Sequence, residues 1–492
     1  MVPAQSEFVV RALDCRQILA FEQGMSDQAI IATPTEISPA AVTPVEAGAF
    51  GSFASGVALT IVTRLLMLLG TVGASVIVGR WLGPEGLGSL AVLNTTIVLA
   101  LSIGSLGLTS ANTYFIAKNR QTLAPVWANA IVFALFGGTL VAVAVLTLAK
   151  LEPALFGSVT SDLILIAALS IPFQFLLALG LNVLLAMDRI RQLNFMDALA
   201  PALALFNAIV VLLILHSNLK VLVSFNTAAT VVLSAGMLWV IARVIARQKE
   251  RIPFRPNSRL FKAAITYGLR FSIPLMAAIL IFRVDLLIVN HFRGAAEAGV
   301  YAVASQVANL LTMLPGVIAT LLFPRVAFAQ DPRGEFAIQV TRHVSFLMLI
   351  MCIGAVAGSF LLPLVYGSRF ADATIQLLIL LPGVCLIGIE SVLVQHFTGT
   401  GLPLAIPVFW LITLATSVGL NLALVPVFGA RGAAITSTLS YSLIFLFIAI
   451  YFCLKTGRRP TEIFLLRSRE FRDLLAQLGL ASPTRSSANA HE

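Results

Sequence analysis

The chain has 492 residues, of which 59% are hydrophobic and only 11% are charged, and its formal net charge is +10. A soluble globular protein would carry about 25% charged residues, so the composition excludes that class. The four cysteines and five histidines show no metal-ligand spacing, and we predict neither a metal nor another cofactor.

The first 48 residues precede the apolar part of the chain. They carry mixed charges, and no apolar core stands next to a small-residue cleavage site, so a signal peptide is not indicated. Residues 32–47 are rich in Pro, Thr and Ala, which is typical of disorder. We predict a disordered cytoplasmic tail over residues 1–48, with a start of translation at Met25 as an open alternative.

Twelve apolar runs follow, and we number them as spans 1 to 12. Runs of this length cross a hydrocarbon core of about 30 Å, and they must be helical because lipid satisfies no backbone hydrogen bond. The sequence therefore predicts an all-α integral membrane protein. The predicted spans are 52–78, 86–116, 125–149, 162–186, 194–215, 221–245, 264–290, 297–323, 345–366, 371–397, 403–427 and 432–454.

The charges in the loops predict the orientation. Lys and Arg are retained on the cytoplasmic side of a membrane. One set of alternate loops, together with the carboxyl tail, holds 21 of them, whereas the other set holds 6. We expect a multi-pass protein of the bacterial cytoplasmic (inner) membrane with both termini in the cytoplasm. The net charge then reflects topology and anionic membrane lipid, not nucleic-acid binding.

An internal repeat divides the spans into two sets of six. An offset of 211 residues aligns Gly83 with Gly294, Gly88 with Gly299 and Ala91 with Ala302. Such a repeat predicts two six-helix lobes with the same orientation, related by an axis along the membrane normal. The predicted domains are an N-lobe over 49–248, a basic linker over 249–262, a C-lobe over 263–456, and a basic tail over 457–492. Residues 461–480 of that tail have the pattern of an interfacial amphipathic helix.

The segments around the repeated glycines also resemble a known protein family. The stretch from Arg80 to Gly88 resembles the first external turn of polysaccharide-biosynthesis flippases of the Wzx type. Arg283-Val284-Asp285, Gly299-Val300-Tyr301 and Phe323-Pro324 resemble the seventh and eighth spans of that family. Its members belong to the multidrug, oligosaccharidyl-lipid and polysaccharide exporter superfamily. The resemblance implies a central cavity between two lobes that opens alternately to each side. It also implies an oligosaccharide on a polyprenyl diphosphate as the substrate, and a transporter that is not an enzyme.

Four residues within the spans are candidates for binding that substrate. Arg64 and Arg283 offer permanent guanidinium charges that match a diphosphate. The alternative for Arg64 is a structural ion pair with an acid such as Asp285. Asn94 and Gln306, in the equivalent spans 2 and 8, are candidates for sugar hydroxyls, although interhelical contacts are the commoner role of such residues.

Two acids within the spans are candidates for coupling transport to an ion gradient. Asp285 stands two residues after Arg283, so the two side chains point about 200° apart on a helix. A structural ion pair is the alternative for Asp285, and a hydrogen bond to a neighbour is the alternative for Glu390.

Two other functions compete with the flippase. A cation-coupled multidrug exporter of the same superfamily would favour acids in the N-lobe, where Asp197 is the sole candidate. A membrane-embedded glycosyl or polyprenyl transferase would favour pairs of acids at a membrane interface, and none is found. For the flippase we expect the lipid-linked oligosaccharide, membrane lipid, and a polysaccharide polymerase with its assembly proteins as partners.

Overall fold

The computed structural model describes residues 47–157, 159–247, 253–329, 334–400 and 403–464. Most of the predicted N-terminal tail, part of the linker and nearly all of the predicted amphipathic helix lie outside these residues. Within them the chain is all-helical, and eleven helices are long and apolar enough to cross a membrane. The all-α membrane fold predicted from the sequence is confirmed.

The helices follow the predicted spans with shifted ends. The long ones are Ala47–Gly104, Leu108–Lys118, Leu123–Leu151, Ser161–Leu169, Ile171–Ala186, Ile190–Ala208, Leu219–Ala246, Ser258–Arg293, Ala295–Ala329, Glu335–Ser359, Asp372–Thr400, Ala405–Phe428 and Ala430–Thr456. A π-helical turn, Ile209–Ile214, extends span 5. The short helices Pro153–Phe156, Leu362–Tyr366 and Thr461–Phe464 lie between spans or after span 12.

The helix Ala47–Gly104 contains two crossings. Its 58 residues would extend for about 87 Å if straight, almost three times the hydrocarbon core. Gly83 breaks it with φ 71° and ψ −172°. The chain reverses direction there. Leu87, after the break, packs next to Gly79, before the break, and its side chain lies 3.5 Å from the position that a Cβ of Gly79 would occupy. Spans 1 and 2 therefore meet at Gly83. The eleven membrane-length helices of the described residues thus contain twelve membrane spans.

The helix bundle has two ends, the Gly83 end and the Lys118 end. The Gly83 end holds the turns at Gly83, Gly157, Gly294, Gly367 and Gly429, all with positive φ. The Lys118 end is the opposite one. At this second end span 7 begins at Ser258, where the side chain of Asn257 accepts a hydrogen bond from the backbone N–H of Leu260.

The repeat is visible in the turns and in their ion pairs. Gly294 has φ 84° and ψ 172°, close to the values of Gly83. In the first half Lys220 lies 2.7 Å from Asp162, and in the second half Arg431 lies 3.2 Å from Asp372. Each pair joins the start of the fourth helix of its half to the start of the sixth. The two halves therefore have the same chain order and orientation, as the offset of about 211 residues predicts.

Two hydrophobic cores correspond to the two halves, and they meet mainly toward the Gly83 end. Spans 7–12 form most of one core, and Val78, Leu87 and Val211 of the first half are buried in it. Two carbonyls at the end of helix Leu362–Tyr366 accept hydrogen bonds from Arg80, at 2.5 and 2.6 Å. Ser75 Oγ lies 2.8 Å from the hydroxyl of Tyr366. Span 1 is thus fastened to the second half near this end.

Candidate functional site

Arg283 is an exposed cation near the middle of span 7. It lies ten residues before Arg293, which places it about 15 Å from the Gly83 end of its helix. Within the part of the chain that the structure describes, no residue forms an ion pair or a hydrogen bond with its guanidinium. A lone charge at this depth is costly in lipid, so a water-filled space is the environment that suits it.

Asp285 points the other way and is buried, with 3% of its surface exposed. Its Oδ2 accepts hydrogen bonds from the Tyr301 hydroxyl at 2.5 Å and from Ser437 Oγ at 3.0 Å. Its Oδ1 accepts the backbone N–H of Leu286 at 2.7 Å. These contacts connect span 7 to spans 8 and 12. Arg283 and Asp285 therefore lie in different surroundings, the first exposed and the second buried.

Spans 11 and 12, the second of which contacts Asp285 through Ser437, carry several buried polar side chains. Buried side-chain atoms with no hydrogen-bond partner among the described residues occur at Thr413, Ser417, Asn421, Thr436 and Ser440. Thr436 and Ser440 flank Ser437 on span 12, and the other three repeat every four residues on span 11. Since buried polar atoms normally find partners, spans 11 and 12 have unused hydrogen-bonding capacity among the described residues.

Arg64 forms an ion pair with Asp197 on span 5, with 3.1 Å between Nη1 and Oδ2. The ion pair with an acid considered from the sequence is therefore present, but its partner is Asp197 and not Asp285, which is held by spans 8 and 12. The depth also differs from the expected one. Span 1 continues to Leu82, just before the break at Gly83, so Arg64 lies 18 residues, or about 27 Å, from that end. The Arg64 side chain is 43% exposed, which leaves room for a second anion beside Asp197.

Glu390 is buried in span 10, with 3% of its surface exposed. Its Oε1 has no hydrogen-bond partner in the described part of the chain. It lies 18 residues after Asp372, so it is about 27 Å from the Gly83 end. The bond to a neighbour considered from the sequence is not seen for this oxygen, and the residue is a buried acid without a countercharge there.

A cavity of about 180 Å³ lies within the first half, between spans 2, 4, 5 and 6. Asn94 lines it together with Gln174, Asn226 and Thr227. Gln174 donates to Ser170 Oγ at 2.9 Å, and Asn226 Oδ1 accepts from Asn207 at 2.9 Å. This uncharged polar lining suits hydroxyl groups. Gln306 lies elsewhere, in span 8, where its buried Nε2 has no partner among the described residues.

Several residues of these sites were missed by sequence reasoning. Tyr301 belongs to the Gly-Val-Tyr stretch that carries the family resemblance, so that motif was the signal for the partner of Asp285. Ser437, Gln174 and Asn226 have no such signal, because serine and amide residues are scattered through every span. In the described ranges no group of three or more His, Cys, Asp or Glu is placed to hold a metal ion.

Comparison with known proteins gives a family and a fold. A model of the family described as "Polysaccharide biosynthesis protein" matches residues 53–330. A "Probable flippase AglR" of Haloferax volcanii is 27% identical over 168 residues, covering 32% of this chain and 35% of that protein. The "Succinoglycan biosynthesis transport protein ExoT" of Rhizobium meliloti is 26% identical over 310 residues, covering 60% of this chain and 59% of that protein. The matches thus span about a third and about three fifths of those relatives, whose names are those of transport proteins.

Solved structures share the fold at low identity. "Lipid II flippase MurJ, inward closed conformation" is 14% identical with a TM-score of 0.66, over 86% of this chain and 96% of that one. An inward-facing multidrug resistance transporter of the MATE family, in the MOP superfamily, is 14% identical with a TM-score of 0.64, over 81% of this chain and 99% of that one. The helical fold of the described residues is therefore similar to the fold of those two structures.

Proposed function

We propose, because the chain belongs to the polysaccharide biosynthesis protein family, that it is a flippase for a polyprenyl-diphosphate-linked oligosaccharide. It would move this lipid from the inner to the outer leaflet of the bacterial cytoplasmic membrane by alternating access. The product would supply a surface polysaccharide such as O-antigen, exopolysaccharide or capsule. The observation that carries this proposal is the unpaired, exposed guanidinium of Arg283 at mid-depth.

The diphosphate is the part of the substrate that most needs the protein. Its charges cannot cross a low-dielectric region without countercharge, and a guanidinium pairs with phosphate oxygens bidentately. Arg283 and Arg64 lie about 12 Å apart in depth, from their positions along spans 7 and 1. A diphosphate that moves between leaflets would meet Arg64 first and Arg283 afterwards.

The sugars need hydroxyl partners rather than charge. The cavity lined by Asn94 and the unpartnered amide of Gln306 supply donors and acceptors on spans 2 and 8. Glycan hydroxyls in a transport pathway would exchange water for these amides at little cost.

Alternating access requires a seal at one end at a time. The contacts of Arg80 and Ser75 with helix Leu362–Tyr366 support a seal at the Gly83 end. The loops at that end are poor in Lys and Arg, so we assign it to the outside and both termini to the cytoplasm. A central cavity between the lobes would then face the cytoplasm, where the lipid-linked oligosaccharide is made.

Coupling to an ion gradient is proposed for Asp285 and Glu390. Asp285 joins three spans through Tyr301 and Ser437, and the hydroxyls of Thr436 and Ser440, close to Ser437 along span 12, have no partner among the described residues. This arrangement suits a bound cation or proton. Glu390 is a buried acid without a partner on Oε1, which suits a carboxylate that takes up a proton.

Two alternatives make different demands. A multidrug exporter would move amphipathic cations, which an exposed mid-membrane arginine repels. A membrane-embedded transferase would need a reacting pair of acids, whereas Asp285 and Glu390 are both buried within the second half. A polysaccharide polymerase and its assembly proteins are the proposed partners on the outer side.

Deletion of the gene in its own host tests the proposal. We expect surface polysaccharide to be lost while lipid-linked oligosaccharide accumulates in the inner leaflet, and plasmid-borne wild type to restore export. Normal polymer in a clean deletion would contradict the proposal, as would polymer loss without accumulation of the lipid-linked units.

A further inference from the structure

A second cavity, of about 450 Å³, opens at the Gly83 end of the second half. Its volume falls within the range of about 300–1,000 Å³ typical of ligand sites. The beginnings of spans 8, 10 and 12 supply most of the residues that line it, Phe428 adds the carboxyl end of span 11, and Pro84 adds one wall from the first half. Three helices therefore direct their amino ends, with partial positive charge, toward one space.

Most charges in this cavity are already paired. The Glu297 carboxylate accepts the backbone N–H of Ala430 at 2.7 Å, which caps the start of span 12. Asp372 pairs with Arg431 at 3.2 Å. Arg369 also lines the cavity, and no described residue forms an ion pair or a hydrogen bond with it. The carboxylates of Glu297 and Asp372 already occupy the helix amino ends, so the exposed guanidinium of Arg369 is the group that can pair with an anion.

Gln376 gives an independent indication of a ligand. Its side chain lines the cavity, only 3% of its surface is exposed, and its Oε1 has no hydrogen-bond partner among the described residues. A buried amide oxygen without a donor is destabilising. A ligand that supplies a hydroxyl would satisfy it.

The other half of the repeat shows that these two residues are not required by the fold. The Asp372–Arg431 pair has a counterpart in Asp162–Lys220. The offset of 210 residues that relates Asp162 to Asp372 places Val159 opposite Arg369 and Ile166 opposite Gln376. The structural ion pair is present in both halves, whereas the free cation and the free amide occur only in the second.

We infer that this cavity binds a sugar ring that carries a negatively charged group. Arg369 binds the anion, and Gln376 accepts a hydrogen bond from a neighbouring hydroxyl. The inference rests on the proposed function and extends it: the glycan would meet this site on the outer side after translocation. The anion is a carboxylate of an acidic sugar or a phosphate ester on a sugar, and the two sources share the same chemistry.

Binding to the purified full-length protein in detergent tests the site. The probes are glucuronate, glucose 1-phosphate, glucose and inorganic phosphate, and saturation-transfer NMR with titration gives the affinities. We expect glucuronate or glucose 1-phosphate to bind at least about tenfold more tightly than glucose or inorganic phosphate, because only the charged sugars use both groups. Tighter binding of glucuronate identifies an acidic sugar, and tighter binding of glucose 1-phosphate identifies a sugar phosphate.

Variants assign the contacts. Arg369→Gln should weaken the charged sugars about tenfold, whereas Arg369→Lys should keep most of the affinity. Gln376→Leu, of similar size, should weaken the charged sugars and leave the weak affinity for inorganic phosphate unchanged. The matched control is Arg191→Gln, an exposed arginine at the Lys118 end, which should change nothing. Equal affinity for glucose and the charged sugars, or full affinity in Arg369→Gln, would overturn the inference.

The outcome is separable from that of the proposed function. Binding of charged sugars in a protein that fails to move lipid-linked oligosaccharide would refute the flippase and leave this site. Transport without any binding of the probes would refute this site and leave the flippase.

Discussion

Gly88 and Gly299 lie against each other where span 2 crosses span 8, and each occupies the same position in its half of the repeat. A Cβ atom at either residue would lie 2.8 Å from the amide nitrogen of the other. It would also overlap a carbonyl oxygen, that of Ala295 for Gly88 and that of Pro84 for Gly299. Because 84 and 295 are also 211 apart, the crossing is symmetric between the halves, and it needs glycine on both sides.

Alanine at this crossing should separate the two halves at the Gly83 end. We expect Gly88→Ala and Gly299→Ala each to destabilise the protein by about 1–3 kcal/mol through overpacking, which lowers the Tm by a few degrees. The measurement is thermal unfolding of the purified protein. Gly316→Ala is the control on the same helix as Gly299, since a Cβ there would meet nothing within 4 Å. An unchanged Tm in both crossing variants would show that the helices have room to separate.

The pair Arg64–Asp197 distinguishes a binding arginine from a structural one. If Arg64 binds the diphosphate, Asp197→Asn removes a competing anion and keeps or raises substrate affinity, whereas Arg64→Gln lowers it about tenfold. The double variant should then resemble Arg64→Gln. Substrate-dependent protection of the purified protein against thermal unfolding measures these affinities. Equal losses in both single variants, with no further loss in the double variant, would assign the pair to structure alone.

Substitution of Asp285 should abolish the coupling of transport to an ion gradient without abolishing passage of the substrate. We expect Asp285→Asn to retain substrate exchange between the two sides of a vesicle and to lose accumulation driven by an ion gradient. Tyr301→Phe removes one of three donors and keeps the carboxylate, so it should reduce accumulation only partially. The assay compares exchange with gradient-driven uptake in proteoliposomes at equal protein level. Full gradient-driven accumulation by Asp285→Asn would exclude Asp285 from coupling.

Glu390 gives a prediction with two readouts. A buried carboxylate without a partner is unfavourable, so Glu390→Gln should raise the Tm of the purified protein. If this acid carries a proton during transport, the same variant should also lose proton-driven accumulation. Glu462→Gln provides the control, because that acid lies after span 12 and pairs with Arg342 and Arg458. A variant of Glu390 that is both more stable and fully coupled would leave the residue without a role in transport.

The sequence predicted the architecture because membranes restrict the choices. Apolar length and backbone satisfaction leave only helices for the twelve runs, and the glycines at 83 and 294 have nearly the same backbone conformation because both close the same turn. The two halves have little sequence similarity at the 211-residue offset, but the offset corresponds to the symmetric crossing of Gly88 and Gly299. These are local and periodic properties that a single sequence contains.

The partners of the charged residues could not be predicted in the same way. Helical geometry separated Arg283 from Asp285, but the choice of Tyr301 and Ser437 depends on how spans 7, 8 and 12 are rotated. The same reason explains why Asp285 and not Asp197 was named as the acid that could pair with Arg64. The sequence alone gives no reason to relate Arg369 to Gln376, because the cavity that they line is formed by helix ends that are distant in the chain.

The most direct test of the account is transport by Arg283→Gln of a fluorescent polyprenyl-diphosphate oligosaccharide in proteoliposomes, measured by its exposure to an added membrane-impermeant quencher. We predict that this variant folds normally, because its guanidinium has no described partner, and that its flipping rate falls at least about tenfold. Arg191→Gln, an exposed arginine outside the spans, should flip at the wild-type rate. A wild-type flipping rate for Arg283→Gln would contradict the central claim that the Arg283 guanidinium binds the diphosphate during its passage through the membrane.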